Sequence, residues 1–123
     1  MRRLSPPALI AFLAAAAGLS ACQGSPPHAS IGDAERGRVL IGQIGCGSCH
    51  AIPGVAGANG MVGPPLKGVG ERTIIAGVLP NTPDNMIRWL EAPQSVVPGN
   101  AMPNMELTQN DAKDIAAYLY AAH

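Results

Sequence analysis

Five residues, Cys46-Gly47-Ser48-Cys49-His50, constrain this chain more than any others. Two cysteines with two residues between them, followed at once by a histidine, form the c-type haem attachment pattern. The chemistry explains the spacing. Each thiol adds across one vinyl group of the same porphyrin, so both sulfurs must reach one edge of the ring. The adjacent histidine then falls under the ring and can offer an imidazole nitrogen to the iron. Gly47 and Ser48 are small, which is expected to let the backbone run close to the macrocycle. Other chemistries fit less well. A structural zinc site needs four ligands, whereas the chain has 3 Cys and no second Cys/His cluster. A thioredoxin-like pair needs a βαβ setting, and no such pattern surrounds this motif. A plain disulfide between Cys46 and Cys49 is the remaining alternative.

With 123 residues, the chain has room for one small domain. Apolar residues make up 47% but aromatic residues only 3%. So small a domain with so few large side chains has difficulty filling a core, and a buried haem would supply the missing apolar bulk. Basic and acidic residues are equal in number, and no basic run is present. Nucleic acid is therefore not an expected partner.

The beginning of the chain reads as an export signal. Met1-Arg2-Arg3 is a short basic region, and residues 8–19 form an Ala-rich apolar run. That run is too short to cross a bilayer comfortably but suits the core of a signal peptide. It ends in Leu19-Ser20-Ala21-Cys22, which resembles the lipobox of bacterial lipoproteins. The resemblance implies cleavage before Cys22 and a lipid on its sulfur. An unmodified exposed thiol would be a liability in an oxidising compartment. The alternative is an ordinary secreted protein cut nearby. The expected organisation is a lipoprotein signal peptide over 1–21, a flexible tether over 22–32 and a domain over 33–123. The tether contains Gly, Ser, Pro-Pro and His28 and has no apolar period. The expected place is the bacterial cell envelope, facing the periplasm and anchored to a membrane. Without Arg2 and Arg3, six basic residues face eight acidic ones, so the mature chain carries about −2 by charge counting.

The domain itself reads as all-α. Residues 33–45 suggest a first helix with Asp33 as N-cap and a buried stripe of Val39, Leu40 and Ile44. Gly37 inside that helix is costly and calls for a packing reason. Residues 51–61 are rich in Gly, Ala and Pro and read as a loop. Thr82-Pro83-Asp84-Asn85 is a helix start, with Thr as cap, Pro in the first turn and an acid beside it. That helix carries Met86, Ile87, Trp89 and Leu90 and stops before Pro93. Residues 108–122 form the last helix. Thr108 and Asp111 make a capping box with a shortened acid, and Ala112, Ile115, Ala116 and Leu119 recur on one face.

Three segments together, Cys46 to His50, Val62-Gly63-Pro64-Pro65-Leu66-Lys67-Gly68-Val69-Gly70-Glu71-Arg72, and Pro98-Gly99-Asn100-Ala101-Met102, resemble a class I c-type cytochrome of the mitochondrial-like cytochrome c family. The resemblance covers residues 33–119. It implies a small cytochrome c fold, with three main helices packed around one covalently bound haem c. In that family a glycine in the first helix allows close crossing with the last, where Ile115 and Tyr118 would pack. Pro64 would offer its carbonyl to the His50 ring, and Leu66 would lie on the haem. Arg72 and Asn100 match positions near a propionate. Trp89 stands where the family often has a tyrosine beside the methionine ligand. Met102 matches that ligand, while Met105, Met61, Met86, His28 and His123 are the other side chains that could serve.

The function implied is electron transfer in a respiratory chain by a membrane-anchored, monomeric carrier rather than an enzyme, with redox proteins as partners. One alternative is an electron-transfer subunit of a larger oxidase or dehydrogenase complex. Another is a haem enzyme or gas sensor with an open iron site, against which the methionine loop argues.

Overall fold

A computed structural model of the chain describes residues 31–123. The expected signal peptide, Cys22 with its lipid, His28 and most of the tether lie outside the described residues.

Helix α1 spans Ala34–Ile44. The Asp33 carboxylate caps it by accepting the Arg36 N–H at 3.0 Å, and Gly45 closes it, its N–H bonding the Ile41 carbonyl. The buried stripe departs from the expected one at Val39, while Leu40 and Ile44 pack against the core as expected. Gly37 and Ile41 are buried, Leu40 and Ile44 are half-buried, and Val39 is 42% exposed. Residues 37, 41 and 44 are spaced by four and three and so share a helix face. Position 39 is two residues from 37, about 200° round the helix, and faces outward.

Helix α2 spans Pro83–Glu91 and begins at the expected Thr82 cap, whose hydroxyl accepts the Asn85 N–H at 3.3 Å. It buries Met86, Ile87 and Leu90. A separate one-turn helix, α3, follows at Pro93–Val96, for which the sequence raised no expectation. Helix α4 spans Gln109–Ala121 and carries the full capping box of Thr108 and Asp111. Its expected inner face is buried: Ala112 and Ala116 are fully covered, and Ile115 and Leu119 nearly so.

Helix α4 packs across α1 and against α2. At the α1 crossing, a Cβ built on Gly37 would lie 2.0 Å from the Asp114 carbonyl oxygen. No side chain fits there, which is the packing reason that an interior glycine required. Charges clamp the same crossing. Arg36 pairs with Asp111 at 2.7 Å and also with Asp114. Asp114 Oδ1 accepts the Asp33 N–H at 2.7 Å, so it ties the entry of α1 to the middle of α4. The Thr108 hydroxyl and then the Arg36 guanidinium hold the Asp111 carboxyl below the usual carboxylate range.

The regular structure among the described residues is mostly helical, but the all-α expectation needs one amendment. Strands β1 (Ile74–Ile75) and β2 (Leu79–Pro80) form a small antiparallel hairpin with Ile75 opposite Leu79. Two residues per strand leave no alternation to read from sequence. No described helix is long and apolar enough to cross a membrane.

Candidate haem site

The helices leave a cavity of about 740 Å³ between them, within the roughly 300–1,000 Å³ usual for cofactor pockets. Ile41, Leu90, Ile115 and Leu119 line it from α1, α2 and α4, and Ile75 from the hairpin. Cys46, Cys49 and His50 lie on its wall together with Met102.

Cys46 opens a single 3-10 turn, Cys46–Ser48, directly after α1. The His50 N–H and the Cys49 N–H both bond the Cys46 carbonyl, at 3.0 and 3.2 Å. This tight turn brings both sulfur-bearing residues and the histidine to one wall. No disulfide joins Cys46 to Cys49, which leaves both sulfurs open to a thioether. Burial pushes the Cys46 thiol up, away from the thiolate. Gly47 has a different role from the one expected. It is not on the cavity wall. A Cβ on it would meet Ala58 at 2.6 Å, so its smallness admits the 55–60 loop behind the motif.

The segment after that loop holds the histidine. His50 Nδ1 lies 2.8 Å from the Pro64 carbonyl oxygen. A carbonyl can only accept, so Nδ1 carries the proton and Nε2 keeps its lone pair. Gly63 makes this contact possible, because a Cβ there would lie 2.3 Å from His50 Cε1. The next proline extends the arrangement: Pro65 offers its carbonyl to Arg72 Nη2 at 2.5 Å. Arg72 is exposed but lies on the cavity wall, as do half-buried Leu66 and Trp89.

Three methionines reach the cavity, Met86, Met102 and Met105. Met61 is 93% exposed and is not among them, and His123 is exposed and pairs with Glu71. Backbone anchoring separates Met102 from its neighbour. Its N–H donates to Asn100 Oδ1 at 2.7 Å, and its carbonyl accepts from Gln94 Nε2 at 2.9 Å. Asn100 lines the cavity, and its amide also holds the Pro93 and Val97 carbonyls.

Sequence reasoning missed Gln94 and Asn81. Asn81 Nδ2 donates to the Val69 and Arg72 carbonyls at 2.8 and 2.7 Å, and its Oδ1 accepts from Tyr120. It thereby pins the segment carrying Arg72 to α4. Nothing in a lone Asn before a helix cap announces this.

The donor set fits haem: two cysteine sulfurs and a one-tautomer imidazole on one wall, methionine thioethers in the same cavity, and apolar surface between. No group of three or more His, Cys, Asp or Glu among the described residues could hold a metal ion. The family model for cytochrome c matches residues 34–122. The chain belongs to the cytochrome c family. The domain is therefore a haem electron-transfer domain of a family that binds haem c covalently. Curated relatives include cytochrome c oxidase subunit 2 of Alkalihalophilus pseudofirmus, 37% identical over 87 residues, covering 70% of this chain and 25% of that protein. The Bacillus subtilis protein of the same name is 36% identical over 89 residues, covering 71% of this chain and 25% of its own. This cytochrome c chain thus spans about a quarter of the length of the curated relatives it matches. No solved structure matches it significantly.

Proposed function

We propose that this protein is a monohaem electron carrier of a respiratory chain, tethered by lipid on Cys22 to a bacterial membrane and facing the periplasm. Haem supplies a one-electron ferrous/ferric couple when bound. Cys46 and Cys49 would hold it through thioethers. His50 and Met102 would supply its two iron ligands, and a sulfur ligand would favour the reduced state. The observation that carries this reading is the His50–Pro64 hydrogen bond at the wall of an apolar cavity. It fixes the ring, leaves Nε2 free and makes the imidazole a stronger donor. The apolar walls keep water away, and Trp89 and Leu66 add to that shielding. A carbon monoxide titration of the reduced holoprotein at neutral pH tests the reading. A carrier with both positions filled binds none, while stoichiometric uptake points to a haem enzyme or gas sensor.

A second reading has its own support. The matched relatives are named as oxidase subunits, which favours a place as the electron-transfer subunit of a larger oxidase complex. Co-purification from solubilised membranes distinguishes the two. A free carrier separates from oxidase subunits, and a bound subunit stays with them.

Two variants examine the details. Cys22→Ser moves haem-loaded protein from the membrane to the soluble fraction, because acyl chains on that sulfur are the anchor. An unmodified Cys22 in the native N-terminal peptide, seen by mass spectrometry, would contradict this. Arg72 lies on the cavity wall, where its positive charge would stand near a propionate and favour the reduced haem. Arg72→Ala therefore lowers the reduction potential by some tens of millivolts, the effect of one partly screened charge. An unchanged potential in a redox titration makes Arg72 a surface charge only.

A further inference from the structure

The segment from Pro98 to Met102 belongs to no helix or strand, so its backbone has no ladder to hold it. Two side-chain amides take over that task. One is Asn100, within the segment. The other is Gln94, on α3, outside it. Gln94 Oε1 accepts the Gly99 N–H at 3.0 Å. Its Nε2 donates to the Asn100 carbonyl at 2.9 Å and to the Met102 carbonyl at 2.9 Å. One planar carboxamide therefore satisfies three backbone groups, at residues 99, 100 and 102. Both donors and the acceptor are used, so the amide can face only one way. The platform beneath it is firm, since Pro93 at the start of α3 is fully buried.

We propose that Gln94 is a positioning residue for the sixth haem ligand, setting how readily the Met102 thioether leaves the iron. This rests on Met102 being that ligand. The physical reason is local. The Met102 thioether leaves the iron by side-chain rotation together with movement of the backbone that carries it, and Gln94 holds the Met102 carbonyl against that movement. Losing the amide lets the 98–102 backbone turn without disturbing α2 or α4. Gln94 is exposed, so water takes over part of what is lost, and the effect stays local and moderate.

The choice of substitution matters. Gln94→Ala removes all three bonds. Gln94→Glu keeps an acceptor for the Gly99 N–H but sets a carboxylate oxygen against two carbonyl oxygens. It loosens the loop at least as much as alanine, although it preserves size. A residue needed only for bulk would show the reverse order.

The test uses the ferric holoprotein and imidazole, a ligand that binds only when the methionine leaves. Gln94→Ala is expected to raise imidazole affinity between about twofold and tenfold, the range of one net neutral hydrogen bond. Gln94→Glu should raise it by as much or more, and exposed Gln109→Ala should not change it. Hydrogen exchange of the Gly99 amide should quicken in Gln94→Ala, which loses its acceptor. A double-mutant cycle with Met102→Ala separates the possibilities. If Gln94 acts through Met102, adding Gln94→Ala to Met102→Ala leaves imidazole affinity unchanged. A single variant with less than a twofold change overturns the proposal, and so does an equal increase in both backgrounds. If instead Met102→Ala leaves the charge-transfer band of methionine-bound ferric haem in place, the ligand assignment itself has failed.

Discussion

Gly37→Ala should be among the most damaging single substitutions in the domain, while Gly42→Ala, five residues along the same helix, should be stabilising. At Gly37 the added methyl would lie 2.0 Å from the Asp114 carbonyl oxygen and 2.5 Å from its carbon. Both atoms belong to the backbone of α4, so no rotamer change relieves the clash. The two helices must separate, and a close-packed interior answers that with strain and lost contact. Overpacking of this kind costs about 3 kcal/mol, while the better helix propensity of alanine returns only about 1 kcal/mol. At Gly42 the added methyl would meet nothing nearer than Val55 Cγ1 at 4.0 Å. There the propensity gain of about 1 kcal/mol stands unopposed. Denaturant unfolding of the two holoproteins should shift in opposite directions. Equal shifts would mean that α1 and α4 do not cross at Gly37. The damage extends to the cavity, since Ile41 and Ile115 belong both to the buried core and to the cavity wall.

Met102→Ala should have the largest effect on the haem itself. Three methionines line the cavity, and their substitutions should separate sharply. Without the Met102 thioether, the charge-transfer band of methionine-bound ferric haem disappears and the ferrous protein takes up carbon monoxide. The reduction potential falls by on the order of 0.1–0.2 V, a fraction of the roughly 0.8 V range that axial ligands command. Met105→Ala changes none of these, because Met105 follows Pro103 and Asn104 and lacks the paired anchors that Asn100 and Gln94 give Met102. Met86 is 2% exposed on α2, so Met86→Ala costs about 2–5 kcal/mol of stability while the band remains. Exchange of phenotype between Met102 and Met105 would assign the loop the other way.

Much of this was legible because local chemistry dictated it. The caps at Asp33, Thr82 and Thr108 need only a short polar side chain before a helical pattern, and all three accept the expected backbone N–H. Gly37 signalled a packing reason because a glycine inside a helix needs a cause, and the family resemblance named it as a close crossing. What stayed hidden depended on tertiary geometry. Val39 and Ile41 are both β-branched and apolar, and only the rotation of α1 against α4 decides which one is buried. The hairpin at Ile74–Pro80 is too short to carry a period. In the site, the histidine and its proline partner could be placed from a motif. Gln94 and Asn81 could not, since an amide side chain bonding distant carbonyls leaves no trace in sequence. The smallness of Gly47 was read as bringing the backbone close to the macrocycle because the motif alone does not show what packs behind it.

The central claim is that one haem is held covalently by Cys46 and Cys49, with His50 as its first axial ligand. Mass spectrometry of the peptide spanning residues 46–50, from protein purified from its native source, addresses it most directly. One haem attached to that peptide, with both thiols consumed, is the expected result. An alkaline pyridine spectrum should then show both vinyl groups saturated. Two free thiols, or a Cys46–Cys49 disulfide in a protein without attached haem, would contradict the claim.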